Sequence, residues 1–107
     1  MIYKFKSQAA GDVIMMGDSG DHVLQVIGRT PAAKGIIEIA AMPAAIAAIE
    51  QAVADDENAR RQAEQEAAAE GKTLSPRAAV TLRQRAWPLV EMMKRSLAEG
   101  ADIVWGV

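Results

Sequence analysis

Six residues, Gly17-Asp18-Ser19-Gly20-Asp21-His22, are where this 107-residue chain comes nearest to chemistry. Ser19 is a candidate nucleophile, His22 (the only histidine) a candidate base, and Asp18 and Asp21 are carboxylates that could orient it. A nucleophilic serine needs a base within hydrogen-bond reach, an acid behind that base, and donors for the oxyanion. Three residues of helix place Ser19 and His22 about one turn apart, so the reach is there. The remaining parts are missing. In the serine proteases that carry such a loop, the histidine and aspartate precede the serine, whereas no histidine precedes residue 17 here. The same six residues suit a helix N-terminus. Asp18 or Ser19 can serve as N-cap, and Asp18 with Asp21 imitates a capping box. Val23, Leu24 and Ile27 follow at helical spacing, and Gly28 suits the C-terminal stop. The stretch predicts a short capped helix over about 19–27 and no hydrolase.

Other chemistries find less support. The absence of cysteine removes disulfides, thiolate zinc sites and cysteine nucleophiles. One histidine and acids strung along a helix match no zinc or calcium spacing, so no metal is expected. Gly17 and Gly20 lie between a strand and a helix, where a phosphate could bind, but Asp18 and Asp21 would repel it. No cofactor is expected. The net charge of −2 gives no general attraction to nucleic acid. Arg77, Arg83, Arg85, Lys94 and Arg95 cluster near Trp87, but not on one helical face, and an acidic segment adjoins them. Nucleic acid is therefore not the expected partner. Arg83 and Trp87 stand one turn apart, close enough for a cation–π contact.

The elements that would position these residues follow from periodicity. Ile2 to Ser7 alternates, with Tyr3 and Phe5 on one face and Lys4 and Lys6 on the other, as in a half-buried strand. Asp12–Met16 is a nearly continuous apolar run, as in a strand covered on both faces, after a hairpin loop at Gln8–Gly11. Gly35–Ile39 reads as a third strand. Pro43 opens a helix whose stripe is Ile46, Ile49 and Val53. Beyond Val53 the stripe fades to Ala59, Ala63 and Ala67, up to a stop at Gly71. Residues 55–74 form a charged, alanine-rich helical arm and loop. Ser75-Pro76 signals another helix start, with a stripe of Leu82, Ala86, Leu89, Val90, Met93 and Leu97. Pro88 should kink that helix, since it cannot bond the carbonyl of Gln84. Ile103-Val104-Trp105 closes the chain as a strand.

The expected fold is α+β, in the order β-β-α-β-α-α-β. A small sheet of about four strands carries helices on one face, and the last two helices form an αα-hairpin. Residues 1–107 make one domain. Residues 50–70 hold seven acids and two bases, while residues 71–96 hold six bases and one acid, so the hairpin sets an acidic arm against a basic one.

The segments YKFKSQAAGDVIMMG, GIIEIAAMPAAIAAIEQAV, TLRQRAWPLVEMMKR and IVWGV, taken in order, resemble a bacterial family known as domain of unknown function number 1840. The resemblance spans nearly the whole chain and is least distinctive over 55–74. It implies a small compact domain and transfers no activity, cofactor or catalytic residue.

With no catalytic set legible, the expected function is a non-enzymatic protein-interaction or self-association module, acting through the helical hairpin or a sheet edge. The partner would be another protein or a second copy. Trp87, Arg83, Ala59, Ala63 and Ala67 are the candidate contact residues, the alanines because small side chains permit close helix approach. The alternative is a small-molecule-binding or enzymatic domain with a pocket near Trp87, between sheet and helices. The N-terminus has no continuous apolar segment, and no run approaches the ~20 residues of a membrane span, so a soluble, cytoplasmic protein is expected.

Overall fold

The computed structural model describes residues 2–71 and 81–107. The first two strands, β1 (Ile2–Ser7) and β2 (Ala10–Met16), form an antiparallel hairpin. Helix α1 (Gly17–Val26) follows without a linker. Strand β3 (Gly35–Ile37), a 3₁₀ turn at Ile39–Ala41 and helix α2 (Met42–Ala69) come next. Helix α3 (Leu82–Glu99) and strand β4 (Ile103–Trp105) complete the expected order. The four strands make one antiparallel sheet, ordered β2-β1-β4-β3. The N- and C-terminal strands are thus its central pair.

The core forms where the sheet meets the helices. Tyr3 and Phe5 of β1, Met15 of β2, Ile37 of β3 and Ile103 and Trp105 of β4 point into it. Val23 and Leu24 of α1, Ile46, Ile49 and Val53 of α2, and Ala86, Leu89, Val90 and Met93 of α3 cover them. Phe5 stacks on Tyr3, with ring centroids 5.9 Å apart, and meets the edge of Trp105 at 5.7 Å. Trp105 donates its indole N–H to the carbonyl of Ala32 at 2.9 Å, which ties the β3 approach to β4. Its ring lies against Gly35, where a Cβ would sit 2.3 Å from it. The buried Ser96 of α3 shares a hydrogen bond with Ser7 at 2.7 Å, so the polar group in this core is satisfied.

Several local expectations change. Strand β2 is covered on one face only. A run of apolar letters does not distinguish a strand buried on both sides from an edge strand with one open face. β2 also begins at Ala10, which shortens the predicted loop to Gln8-Ala9. β3 ends at Ile37, because Asp102 accepts from the N–H of Ile39 at 3.0 Å and the chain there turns into 3₁₀ geometry. Helix α1 starts two residues early, with Met16 in the N-cap position and no side-chain cap. Asp18 and Ser19 therefore lie inside its first turn and do not cap it. Its end is as expected: the N–H of Gly28 bonds Gln25 and that of Arg29 bonds Leu24.

The Ser75-Pro76 signal lies outside the described residues. Helix α3 begins at Leu82, with Thr81 as its N-cap. Thr81 Oγ1 accepts from the N–H of Gln84 at 3.2 Å, and the Gln84 side chain accepts from the N–H of Thr81 at 3.0 Å. That reciprocal box satisfies two donors otherwise left over at a helix start. Thr81→Ala should cost about 1 kcal/mol, visible as a lower urea midpoint with an unchanged slope. α3 carries Pro88 at an exposed position and runs through it to Glu99. Leu97, expected in the apolar stripe, is exposed, while Met92 and Ser96 are buried in its place.

Candidate interaction surface

The catalytic-looking hexapeptide is absorbed into packing. Gly20 is buried beneath the Tyr3 ring, so close that a Cβ there would lie 2.1 Å from Tyr3 Cδ2. Asp21 accepts a hydrogen bond from the Tyr3 hydroxyl. Ser19 Oγ accepts from Arg85 Nη1 at 3.1 Å, which joins α1 to α3. His22 is exposed. Among the described residues, no group of three or more histidines, aspartates or glutamates is placed to hold a metal ion.

Burial, the hydrogen bond to Asp21 and the charge of Asp21 together push the Tyr3 hydroxyl up from 10 to about 12. The folded state thus holds this proton after the unfolded chain has released it. The resulting stability is complete below pH 10, falls as the pH rises from about 10, and is lost through about 12. Tyr3 is the only tyrosine, so tyrosinate absorbance reports it alone. Its midpoint should lie near 12 in the folded protein, and Tyr3→Phe should flatten the alkaline decline in stability. A midpoint near 10 in folded protein would contradict the Tyr3–Asp21 contact.

The residues singled out on the helices occupy two settings. Trp87 is half-buried against the core, and its ring meets two cations of its own helix. The Arg83 guanidinium carbon lies 5.0 Å from the ring centroid and Lys94 Nζ 5.3 Å. Arg83 also donates through Nε and Nη2 to Glu57 Oε1 of α2, at 2.9 and 2.7 Å. That ion pair realises the expected contact of acidic and basic arms, at an exposed position where a pair contributes little. Ala59 and Ala63 are exposed on α2, but Ala67 is buried apart from the main core. The three alanines do not present one continuous exposed stripe.

The surface that sequence reasoning missed is the outer face of the sheet. With the helices on the other side, alternate strand residues there meet solvent. Ile2 is 61 % exposed, Ile14 64 %, Met16 67 % and Ile36 37 %. The register shows how they lie. Ile2 is opposite Met16, Lys4 opposite Ile14, Lys6 opposite Val104, and Val104 opposite Ile36. Two apolar groups, Ile2-Ile14-Met16 and Val104-Ile36, therefore flank a ridge made by Lys4 and Lys6 on β1. Lys4 reaches Asp12 at 3.6 Å, and Lys6 donates to the carbonyl of Val107 at 3.4 Å. A signal for this face was present. The alternation of β1 already marks its lysine side as open, and the strand hydrogen-bonded beside it must share that face.

The geometry defines a four-stranded antiparallel α+β domain with helices on one side and a bare, partly apolar sheet on the other. The chain belongs to the family described as a domain of unknown function, DUF1840, which matches residues 1–105. No curated protein and no solved structure matches it significantly. Among the described residues, no helix is long and apolar enough to cross a membrane.

Proposed function

We propose that this domain is a non-enzymatic protein-interaction or self-association module and that the open face of its sheet is the contact surface. One observation carries the reading: three large apolar side chains, Ile2, Ile14 and Met16, stand together and exposed on the face opposite the helices. Clustered exposed apolar residues mark contact surfaces, whereas single ones do not. The surrounding Lys4, Lys6 and Asp12 supply the polar rim such surfaces carry. This surface takes over the role first assigned to Trp87 and the alanines, since Trp87 is engaged with its own helix. A bacterial, cytoplasmic setting goes with this reading, and cell fractionation would check it.

Sedimentation velocity of the wild type and of Ile14→Asp/Met16→Asp tests the proposal. The wild type should sediment as an assembly, with itself or with an identified protein, and the variant as the bare chain with unchanged circular dichroism. An assembly indifferent to both substitutions would contradict it.

A further inference from the structure

We infer that the free edge of β2 pairs with the same edge of a second copy, antiparallel about a two-fold axis at Ile14, so that the two sheets continue into each other. The inference goes beyond the reading of the open face, because it concerns the main chain at the border of that face.

β2 stands at one end of the order β2-β1-β4-β3 and pairs with β1 alone. Alternate residues of such a strand turn their N–H and C=O groups away from the sheet. Among the described residues, nothing bonds the groups that β2 turns outward. Edge strands are commonly blunted by shortness, lysine, proline or a bulge. β3, the opposite edge, has only 3 residues. β2 has 7, with no lysine or proline among them. Its register irregularity lies toward the hairpin, between the Phe5–Val13 and Ser7–Ala10 pairs, so Val13–Met16 stays regular. α3 runs beneath β2, tied by Ser96 to Ser7 and by Arg85 to Ser19. Val13, on the helix side of the strand, is nevertheless only partly buried, so α3 leaves the edge open there.

The residues of this edge suit a copy of themselves. A two-fold axis makes the contact self-complementary, and the pleat allows only registers that set like-facing side chains opposite each other. With Ile14 opposite the partner's Ile14, Val13 meets the partner's Met15 on the helix side and Asp12 meets the partner's Met16 on the open side. Asp12 is the only charge in the strand. This register keeps it from its own copy and leaves its ion pair with Lys4, at 3.6 Å, undisturbed. Val13 gains the cover that its own chain does not supply. The two groups of Ile2, Ile14 and Met16 become one apolar patch across the joined sheets, held by cross-strand pairs. In such strand addition the main-chain bonds supply affinity and the alternate side chains supply specificity.

Single cysteines in the full-length chain test this register, since the protein has no cysteine of its own. Directly opposed residues of an antiparallel pair have Cα atoms about 4.5–5.5 Å apart, within the span that a disulfide bridges. The wild type should be a dimer by light scattering. Under mild oxidation, Ile14→Cys should convert to a covalent dimer in high yield. Asp12→Cys and Met16→Cys should each stay uncrosslinked alone and should join when mixed. Ile36→Cys, on the same face at the opposite edge, should stay uncrosslinked. A chain monomeric at every concentration would overturn the inference, and so would a dimer in which Ile14→Cys fails to cross-link. In that second case the open-face reading still stands if Ile14→Asp/Met16→Asp dissociates the dimer. Faces stacked on each other hold their sheets about 10 Å apart, beyond disulfide reach.

Discussion

Phe5→Ala is expected to remove about 3–5 kcal/mol of stability, the range for deleting a buried aromatic ring. Phe5 is fully buried at the centre of the sheet, with Tyr3 stacked on one side and the edge of Trp105 on the other. Its strand pairs with both β2 and β4, and the helices close over it. Because the neighbouring rings sit on different strands of a hydrogen-bonded sheet, they cannot move together to fill the space, so the cavity persists. For a chain of this size each kcal/mol lowers the thermal midpoint by about 4–8 °C. The loss should therefore be a large part of a typical 5–15 kcal/mol margin. Phe5→Leu, which refills most of the space, should lose far less. A midpoint within a few degrees of wild type for Phe5→Ala would show that the aromatic stack is not the centre of the core.

Gly20→Ala sets two effects of opposite sign against each other. Alanine in place of glycine inside a helix stabilises it by about 1 kcal/mol. The added Cβ would lie 2.1 Å from Tyr3 Cδ2 and 2.7 Å from Cε2, well inside contact distance. Overpacking of a tight core costs about 1–3 kcal/mol and occasionally more. Tyr3 has little freedom to retreat, since its ring stacks on Phe5 and its hydroxyl is held by Asp21. Overpacking should win, giving a net loss at the upper part of that range. The two sites touch, so their effects should not add. In a Tyr3→Val background, where the ring is gone, Gly20→Ala should become neutral or stabilising. Denaturant melts of the four proteins measure the coupling, and additive effects would contradict the contact.

Much of the fold was legible because its signals are local. Tyr3 and Phe5 alternate with Lys4 and Lys6, and β1 has that orientation. Ile46, Ile49 and Val53 mark the buried face of α2, and Gly28 stops α1. The misreadings share a cause, which is that sequence does not state what covers an element. Asp12–Met16 is as apolar as a two-sided strand, yet it is the sheet edge. Asp18 and Ser19 are good capping residues, but β2 runs directly into α1 and places the N-cap at Met16. Leu97 continues the helical stripe by spacing but is exposed, and Ser96 beside it is buried, its hydroxyl hydrogen-bonded to that of Ser7. The candidate surface was half legible. Lysine alternation showed one open face on β1, but only the β1–β2 register shows Ile2 and Met16 side by side on it.

Adjacent methionines make the most direct test of the open-face account. Met15 faces the core at 5 % exposure and Met16 faces outward at 67 %. Mild peroxide converts accessible methionine to its sulfoxide, and peptide mass spectrometry resolves the two positions. If the sheet face is a contact surface, Met16 should be protected nearly as well as Met15 in the assembled protein. It should become reactive on dilution or in the Ile14→Asp variant, while Met15 stays protected. Rapid oxidation of Met16 in an intact assembly would contradict the account, because the face would then be open to water while the protein's contacts are made.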